Sequence, residues 1–439
     1  MTDLLDIAHD LLQFAREMGA TAADAVVGEG RDTSVSVRNG EVENLEQAEA
    51  REATVRVFVG QSSANNSGSV LTREALERLV DRAVEMAKLA PPDPFAGLAD
   101  TSQLATEFAD LDIFSPEIVT TDQLRERALE AERVALAVNG VSKSNGASAS
   151  AYSGHSAIAA SNGYERTSRR TSFGNSVSVI AGESTSMERD YDGHGAVYWS
   201  DVEAAGKIGR TAGERAVKRL HPRKLSSQKV PVIFDRRIAT SLISHLVGGI
   251  SGAAIARGTS FLKGDLGKQL FQSAVSIIDD PLRQRGLASR PVDGEGLPVQ
   301  RRALIDKGVL SNWILDLRSA RQLKLAPTGQ GGRGSPSTSN VYMEAGTRSP
   351  EQMMKDIGTG FLVTEFIGSS INMVTGDYSR GASGFWFENG EIAYPVSEVT
   401  VAGNLRDMFL ALEPGSDLIF RSSTTAPSCF LGEMTIAGR

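Results

Sequence analysis

A single cysteine, Cys429, among 439 residues excludes an internal disulfide and any metal site built from two or four thiolates, and it suits a reducing compartment. No uninterrupted apolar run approaches the ~20 residues needed to cross a bilayer, so no membrane association is expected. The opening Met1-Thr2-Asp3-Leu4-Leu5-Asp6 is acidic and lacks the basic and apolar regions of a signal peptide, which makes a cytoplasmic location the expectation. Positive charge is in deficit: 46 Lys and Arg stand against 54 Asp and Glu, a formal net charge of -8. That balance opposes non-specific nucleic-acid binding, which depends on a phosphate-neutralising surface. The densest basic groupings, Arg166 with Arg169 and Arg170, and Lys218-Arg219 with Arg223-Lys224, read as solvated charges. The five histidines, His9, His155, His194, His221 and His245, occur singly, without a second imidazole at metal-ligand spacing.

Hydrophobic residues make up 41% and charged residues 23%, an ordinary globular composition. The length exceeds the roughly 250–300 residues at which a single core stops growing, so more than one domain is expected. Apolar residues at helical spacing predict a helix over 3–18, ended by Gly19, and another over 73–89, stopped by Pro91-Pro92. Asn39-Gly40, Asn162-Gly163 and Asn389-Gly390 lie between alternating segments and predict hairpins. Thr120 with Gln123, and Ser200 with Glu203, have capping-box spacing; Ser349-Pro350 with Gln352 supplies a cap, an N1 proline and an N3 partner. Short segments at 230–234, 273–278, 301–305 and 309–315 predict strands. The fold class that follows is α+β. A mixed N-terminal region with antiparallel sheet occupies 1–222, with subdomains of about 1–95 and 115–222 around a Pro-containing linker, and a β-rich domain occupies 223–439.

The segment from Ser241 to Ser260 looks like a metallopeptidase helix without its ligands. A zincin-type site needs two imidazoles on one helix and a glutamate beside the first. Here His245 is followed by Leu246, and the positions four and five further on are Gly249 and Ile250. Ser260 and Lys263 have the spacing of a serine nucleophile with its activating lysine, but no Ser-Asp-Asn or Lys-Thr-Gly element accompanies them, and a structural serine is preferred. The glycine-rich stretch Thr328 to Ser335 lacks the Gly-Lys-Ser/Thr ending of a phosphate-binding loop, so it reads as conformational or substrate-contacting. Glu188, Asp190 and Asp192 beside His194 could hold a cation through oxygens; a solvated turn is the preferred reading.

Several landmarks taken together carry a family resemblance. They are Arg257-Gly-Thr-Ser260, the 280–290 stretch followed by Arg301 to Leu310, Thr328-Gly329, Ser339-Asn340, Asn372 to Ser379, and Glu388 to Ile392. With them the chain resembles the TldD/PmbA family, also called the modulators of DNA gyrase, in its PmbA (TldE) branch, over nearly the whole length. The resemblance implies a β-barrel-like C-terminal domain and a non-catalytic subunit that binds no cofactor or metal. Zinc is expected in a TldD-like partner bearing His-Glu-x-x-x-His, with which this chain forms a heterodimer acting on unfolded peptides, or a homodimer when alone. No catalytic residue carries over, and Cys429 lies several residues too late to stand for the family's third ligand. Substrate contacts are expected from two loops, at Thr328, Gly329, Arg333 and Asn340 and at Asp377, Tyr378 and Ser379. The alternatives are a protein-binding regulator of the gyrase-modulator type and a homodimeric hydrolase working without a partner.

Overall fold

The computed structural model describes residues 3–184 and 186–438. The N-terminal half comprises α1 (Leu4–Glu17), β1 (Ala22–Arg38), β2 (Glu41–Val59), β3 (Ser62–Gly68), α2 (Arg73–Leu89), α3 (Thr121–Leu136), β4 (Val141–Ala160), β5 (Glu165–Ala181), β6 (Glu188–Ala196) and α4 (Ala205–Lys218). Its strands form one antiparallel sheet in the order β3-β2-β1-β4-β5-β6, so the segments on either side of the linker share a single sheet. The turns are where the sequence puts them: Asn39 and Gly40 close β1 onto β2 with φ of 55° and 81°, a left-handed pair that few residues other than Asn and Gly accept.

Alternation along these long strands buries one face beneath two helix pairs. α1 and α2 cover Ala23, Ala25, Val27, Ala53, Val55 and Val57. Further along, α3 and α4 cover Val35, Val37, Ala147, Ala149, Val177 and Val179. The second pair packs closely: a Cβ on Gly209 of α4 would lie 2.2 Å from the carbonyl oxygen of Ala131 on α3, so only glycine fits. Between the helix pairs, cross-strand ion pairs replace apolar cover, Arg31 to Glu49 at 3.3 Å and Arg51 to Glu29 at 3.2 Å.

The C-terminal half contains β7 (Gln228–Phe234), α5 (Arg236–Gly249), α6 (Gly252–Arg257), β8 (Ile277–Asp279), β9 (Arg302–Asp306), β10 (Val309–Leu310), α7 (Leu317–Leu323), β11 (Val341–Met343), α8 (Pro350–Ile357), β12 (Gly360–Ile371), β13 (Asp377–Glu388), β14 (Glu391–Asn404), α9 (Leu405–Ala411), β15 (Glu413–Pro414), β16 (Thr424–Thr425) and β17 (Cys429–Ala437). The order β14-β13-β12-β7-β17 closes on itself because β17 also pairs with β14, giving a five-stranded barrel with β15 on its margin. A second sheet runs β10-β9-β8-β11-β16. The core here is built from larger side chains, among them Phe234, Phe271, Phe361 and Phe409, in contrast to the alanines and valines of the first half. The fold class is thus the α+β arrangement expected, barrel included.

Three local expectations are corrected. The strands foreseen at 273–278 and 309–315 shrink to β8 and β10, because irregular partners take the remaining backbone: the amide of Ile314 donates to Ile250 and that of Leu315 to the Thr328 hydroxyl. Ser200 and Glu203 do not form a capping box. A 3-10 turn spans Trp199–Asp201 and α4 begins after Ala204, since the Glu203 carboxylate is engaged by Arg421 and Lys207. The basic groupings expected to be solvated are so at Arg169, Lys218, Arg223 and Lys224 but not throughout. Arg170 donates to the carbonyls of Leu287 and Ser289 across to the C-terminal half, and Arg219 is only 8% exposed.

Candidate functional site

The helix at the metallopeptidase position is α5. Asp235 caps it by accepting from the amide of Arg237, and Ala239, Leu242, Ile243, Leu246 and Gly249 form its buried stripe. The opposite face presents Thr240, Ser241 and Ser244 to a cleft of about 460 Å³, bounded on the other side by Arg189 to Tyr191 of β6 and by Thr364 to Phe366 and Arg380 of the barrel. Ser241 and Ser244 donate back to the helix carbonyls of Ile238 and Thr240, at 2.6 and 3.2 Å.

His245 sits behind this face, its ring 6.0 Å from that of Tyr378. Burial first, and the Arg380 cation second, push its imidazole down to about 4, so it is neutral at pH 7. Nε2 of His245 is buried without a hydrogen-bond partner. The zinc that the sequence resemblance leads one to expect in a catalytic partner does not fit these residues: the helix offers one imidazole, and no group of three or more His, Cys, Asp or Glu side chains poised for a metal occurs among the described residues. Cys429 is fully buried, with Sγ against the Met343 sulfur at 3.7 Å, and burial drives its thiol far above the usual range.

One wall of the cleft is an ionic network. Glu188, Asp190 and Asp192, expected in a solvated turn, lie instead on β6, with Asp190 and Asp192 3% and 4% exposed. The cations they bind are the chain's own guanidiniums. Asp190 receives Arg237 at 2.8 Å and Arg219 at 3.5 Å; Asp192 receives Arg215 at 3.1 Å and both Nη atoms of Arg421, at 3.0 and 3.1 Å. Burial alone would raise the Asp190 carboxyl, but the bonds from Arg237 outweigh it and hold the group below its ordinary value. Because Arg215 lies on α4 and Arg219 at its C-cap while Arg237 and Arg421 belong to the C-terminal half, the network joins the two halves.

The residues expected to touch substrate fall into two places. Thr328, Gly329, Arg333 and Asn340 lie together in the loops around the small sheet, well away in the chain from the α5 wall. Thr328 Oγ1 accepts from the Leu315 amide at 2.9 Å; a Cβ on Gly329 (φ 69°) would lie 2.3 Å from the Pro298 carbonyl oxygen. Asn340 donates to Asp280 O and Ser289 Oγ, both at 2.8 Å, and Arg333 Nε donates to Asp24 of β1 at 3.0 Å. The anion held by a glycine-loop amide is internal: Gly331 donates to the Asp293 carboxylate at 2.8 Å. Asp377, Tyr378 and Ser379 start β13. Asp377 is exposed and accepts from Thr375 Oγ1 at 2.6 Å; Ser379 is half-buried opposite Ala402; Tyr378 is buried beside His245. Ser260 spends its hydroxyl on the Gly249 carbonyl at 2.5 Å and accepts from the Leu262 amide, which occupies it structurally.

Arg380, Thr364 and Arg237 were not singled out in the sequence. Arg380 is one residue past the Asp377–Ser379 group, and β13 alternation would have placed it across the strand from Ser379. The even spacing of Glu188, Asp190 and Asp192 was itself a signal, because strand alternation sets all three on one face. Nothing local marks Thr364.

Comparison with known proteins places this architecture. Profiles of the PmbA/TldA metallopeptidase domain 1, central domain and C-terminal domain match residues 23–87, 114–220 and 227–438. Metalloprotease PmbA of Escherichia coli O157:H7 is 40% identical over 95% of this chain and 92% of its own length, and the PmbA homolog of Haemophilus influenzae is 36% identical over 97% and 94%. The crystal structure of a protein from Bacteroides thetaiotaomicron that carries the DNA-gyrase-modulator name superposes with a TM-score of 0.92 at 26% identity, covering 99% of this chain and 98% of that one. TldE from Thermococcus kodakarensis, at 19% identity, shares the fold with a TM-score of 0.86 over 98% of this chain and all of its own. With all three of its domains matched along the chain, the protein belongs to the PmbA/TldD metallopeptidase family.

Proposed function

We propose that this chain is the non-catalytic, PmbA/TldE-type subunit of a cytoplasmic peptidase whose zinc is carried by a TldD-type partner and whose substrates are unfolded peptides. The observation that carries this reading is α5: at the helix where the family's catalytic members are expected to present two imidazoles and a glutamate, this chain presents His245 alone, neutral and half-buried, among serine and threonine hydroxyls. Such a helix can shape a wall but cannot activate water on a metal. In this role the chain contributes cavity walls and peptide contacts, for which the Thr328 to Arg333 loop with Asn340 and the Asp377 to Ser379 segment remain the proposed groups. Extended peptides are commonly held by main-chain pairing at strand edges, a mode that reads little sequence.

The test is peptide hydrolysis by the isolated chain and by the chain mixed with a His-Glu-x-x-x-His-bearing homologue from the same genome, each with and without chelator. Chelator-sensitive turnover in the mixture, with none from this chain alone, is the expected result. Turnover by the isolated chain overturns the reading.

A further inference from the structure

Three buried polar atoms around the α5 cleft have no hydrogen-bond partner: Nε2 of His245, Oγ1 of Thr364 and the hydroxyl oxygen of Tyr378. Thr364 and Tyr378 are 8% and 2% exposed, and Thr364 lines the cleft. Phe366 connects them. It stands two residues after Thr364 on β12, just past a register shift between Val363 and Glu365, lines the same cleft, and its ring lies 6.3 Å from that of Tyr378. More than nine in ten buried polar groups are paired in folded proteins, and an orphan costs about 1–3 kcal/mol. A concentration of them at one cleft marks a place where a partner is missing.

One cation of the same cleft lacks a carboxylate. Of the four lining guanidiniums, from Arg189, Arg219, Arg237 and Arg380, the first three are paired. Arg189 and Arg219 pair with Glu365, Arg219 and Arg237 with Asp190, and Arg219 and Arg237 also with Glu188 and Asp235 just outside the lining, at 3.6 and 3.7 Å. Arg380 has no carboxylate partner among the described residues. It gives Nε to the Gly368 carbonyl at 3.0 Å and lies 4.3 Å over the Phe366 ring. Stacking and the Nε bond fix the plane of the guanidinium. The Tyr378 phenol is pushed up by burial and pulled back by the neighbouring Arg380 cation and by its hydrogen-bonding approach, so the guanidinium reaches the phenol as well as the cleft. His245, neutral there, supplies a hydrogen-bonding atom but no competing charge.

We propose that the α5 cleft is a carboxylate-binding site, in which the Arg380 guanidinium is the charge partner and the Thr364 hydroxyl an added donor. Carboxylate is the chemistry that matches a planar pair of N–H donors with an isolated hydroxyl beside it. A sulfate or phosphate would bring more negative charge than the single unpaired guanidinium offsets. Taken with the subunit reading, the carboxylate is that of a peptide, either its free C-terminus or an Asp or Glu side chain. Binding itself needs no partner subunit, so it stands or falls separately from peptide turnover by the complex.

The experiment is calorimetric titration of the isolated full chain at low salt with three probes: an acetylated tetra-alanine peptide with a free C-terminus, its C-terminal amide, and the amide with one alanine replaced by glutamate. The free acid is expected to bind at least tenfold tighter than the amide, and a glutamate amide that matches it would identify side-chain carboxylates as equal ligands. Arg380→Gln should abolish the preference, Arg380→Lys should keep part of it, and Thr364→Val should weaken the acid severalfold, with thermal melting confirming that each variant folds. Equal binding of acid and amide by the unmodified chain, no binding of either, or a folded Arg380→Gln chain with the preference intact overturns the proposal. The acid-against-amide comparison requires no variant, so it holds even if a substitution disturbs folding.

Discussion

Two polar regions meet at α5 and are built on opposite principles. In the network on β6, two almost fully buried carboxylates are surrounded by four guanidiniums, every one of them in contact with at least one of those carboxylates. In the cleft beside it, over the aromatic ring of Phe366, the buried hydroxyls of Thr364 and Tyr378 and the imidazole of His245 each keep an unpaired atom. Arg237 touches both regions, donating to Asp190 and reaching the Thr364 carbonyl at 3.5 Å. The difference teaches that burial of polar atoms in this protein has two uses. Where the charges are paired the groups join one half of the molecule to the other, Arg421 Nε being the one buried atom of that network without a partner among the described residues, and where hydroxyl and imidazole atoms stay unpaired the proposed carboxylate would meet them.

That comparison makes predictions of opposite sign. The largest effect is expected from Asp190→Ala, which strands Arg237 and part of Arg219 in a buried site; loss of one partner of a buried pair costs about 3–5 kcal/mol, read as a fall in denaturant midpoint. A loss below about 1 kcal/mol would mean that water already serves the network. Tyr378→Phe removes an orphan oxygen while keeping the ring, so the chain should become more stable by about 1 kcal/mol, read in the same titration. A clear loss would show that the hydroxyl has a partner in solution.

A further effect concerns pH and is confined to acid conditions. The His245 imidazole titrates at about 4 in the folded chain against an ordinary 6.5. Between those values the unfolded chain binds a proton that the folded chain does not, so stability falls as pH drops from 6.5 towards 4 and is unaffected by this group above 7. His245→Gln should flatten that part of the pH profile, measured as the difference between the two chains. Identical profiles would place His245 in contact with solvent.

How far the sequence reaches differs between these regions. Asp190 and Asp192 were visible as an acidic alternation, but their partners come from positions 215, 219, 237 and 421, and no local spacing announces that four arginines converge. A solvated turn was the natural reading of an acidic run whose counter-charges lie elsewhere in the chain. The α5 helix was read in the sequence only as the helix that carries His245; its Asp235 cap and buried stripe came from the structure, although both depend on residues within a few positions of one another. Thr364 gave no signal: a threonine in a β-strand is ordinary until a barrel closes around it.

What the sequence determined by itself was local and periodic. The Asn-Gly turns at 39–40 and 389–390, the helix Arg73–Leu89, the proline-started helix after Ser349 and the absence of a His-Glu-x-x-x-His set all follow from neighbouring residues and backbone sterics. Tertiary structure alone decided which charges meet, that β17 closes a five-stranded barrel against β14, and that a single sheet runs across both parts of the first half. Those outcomes depend on contacts between residues tens to hundreds of positions apart, and a contact of that range leaves no periodicity in the chain for a reader to find.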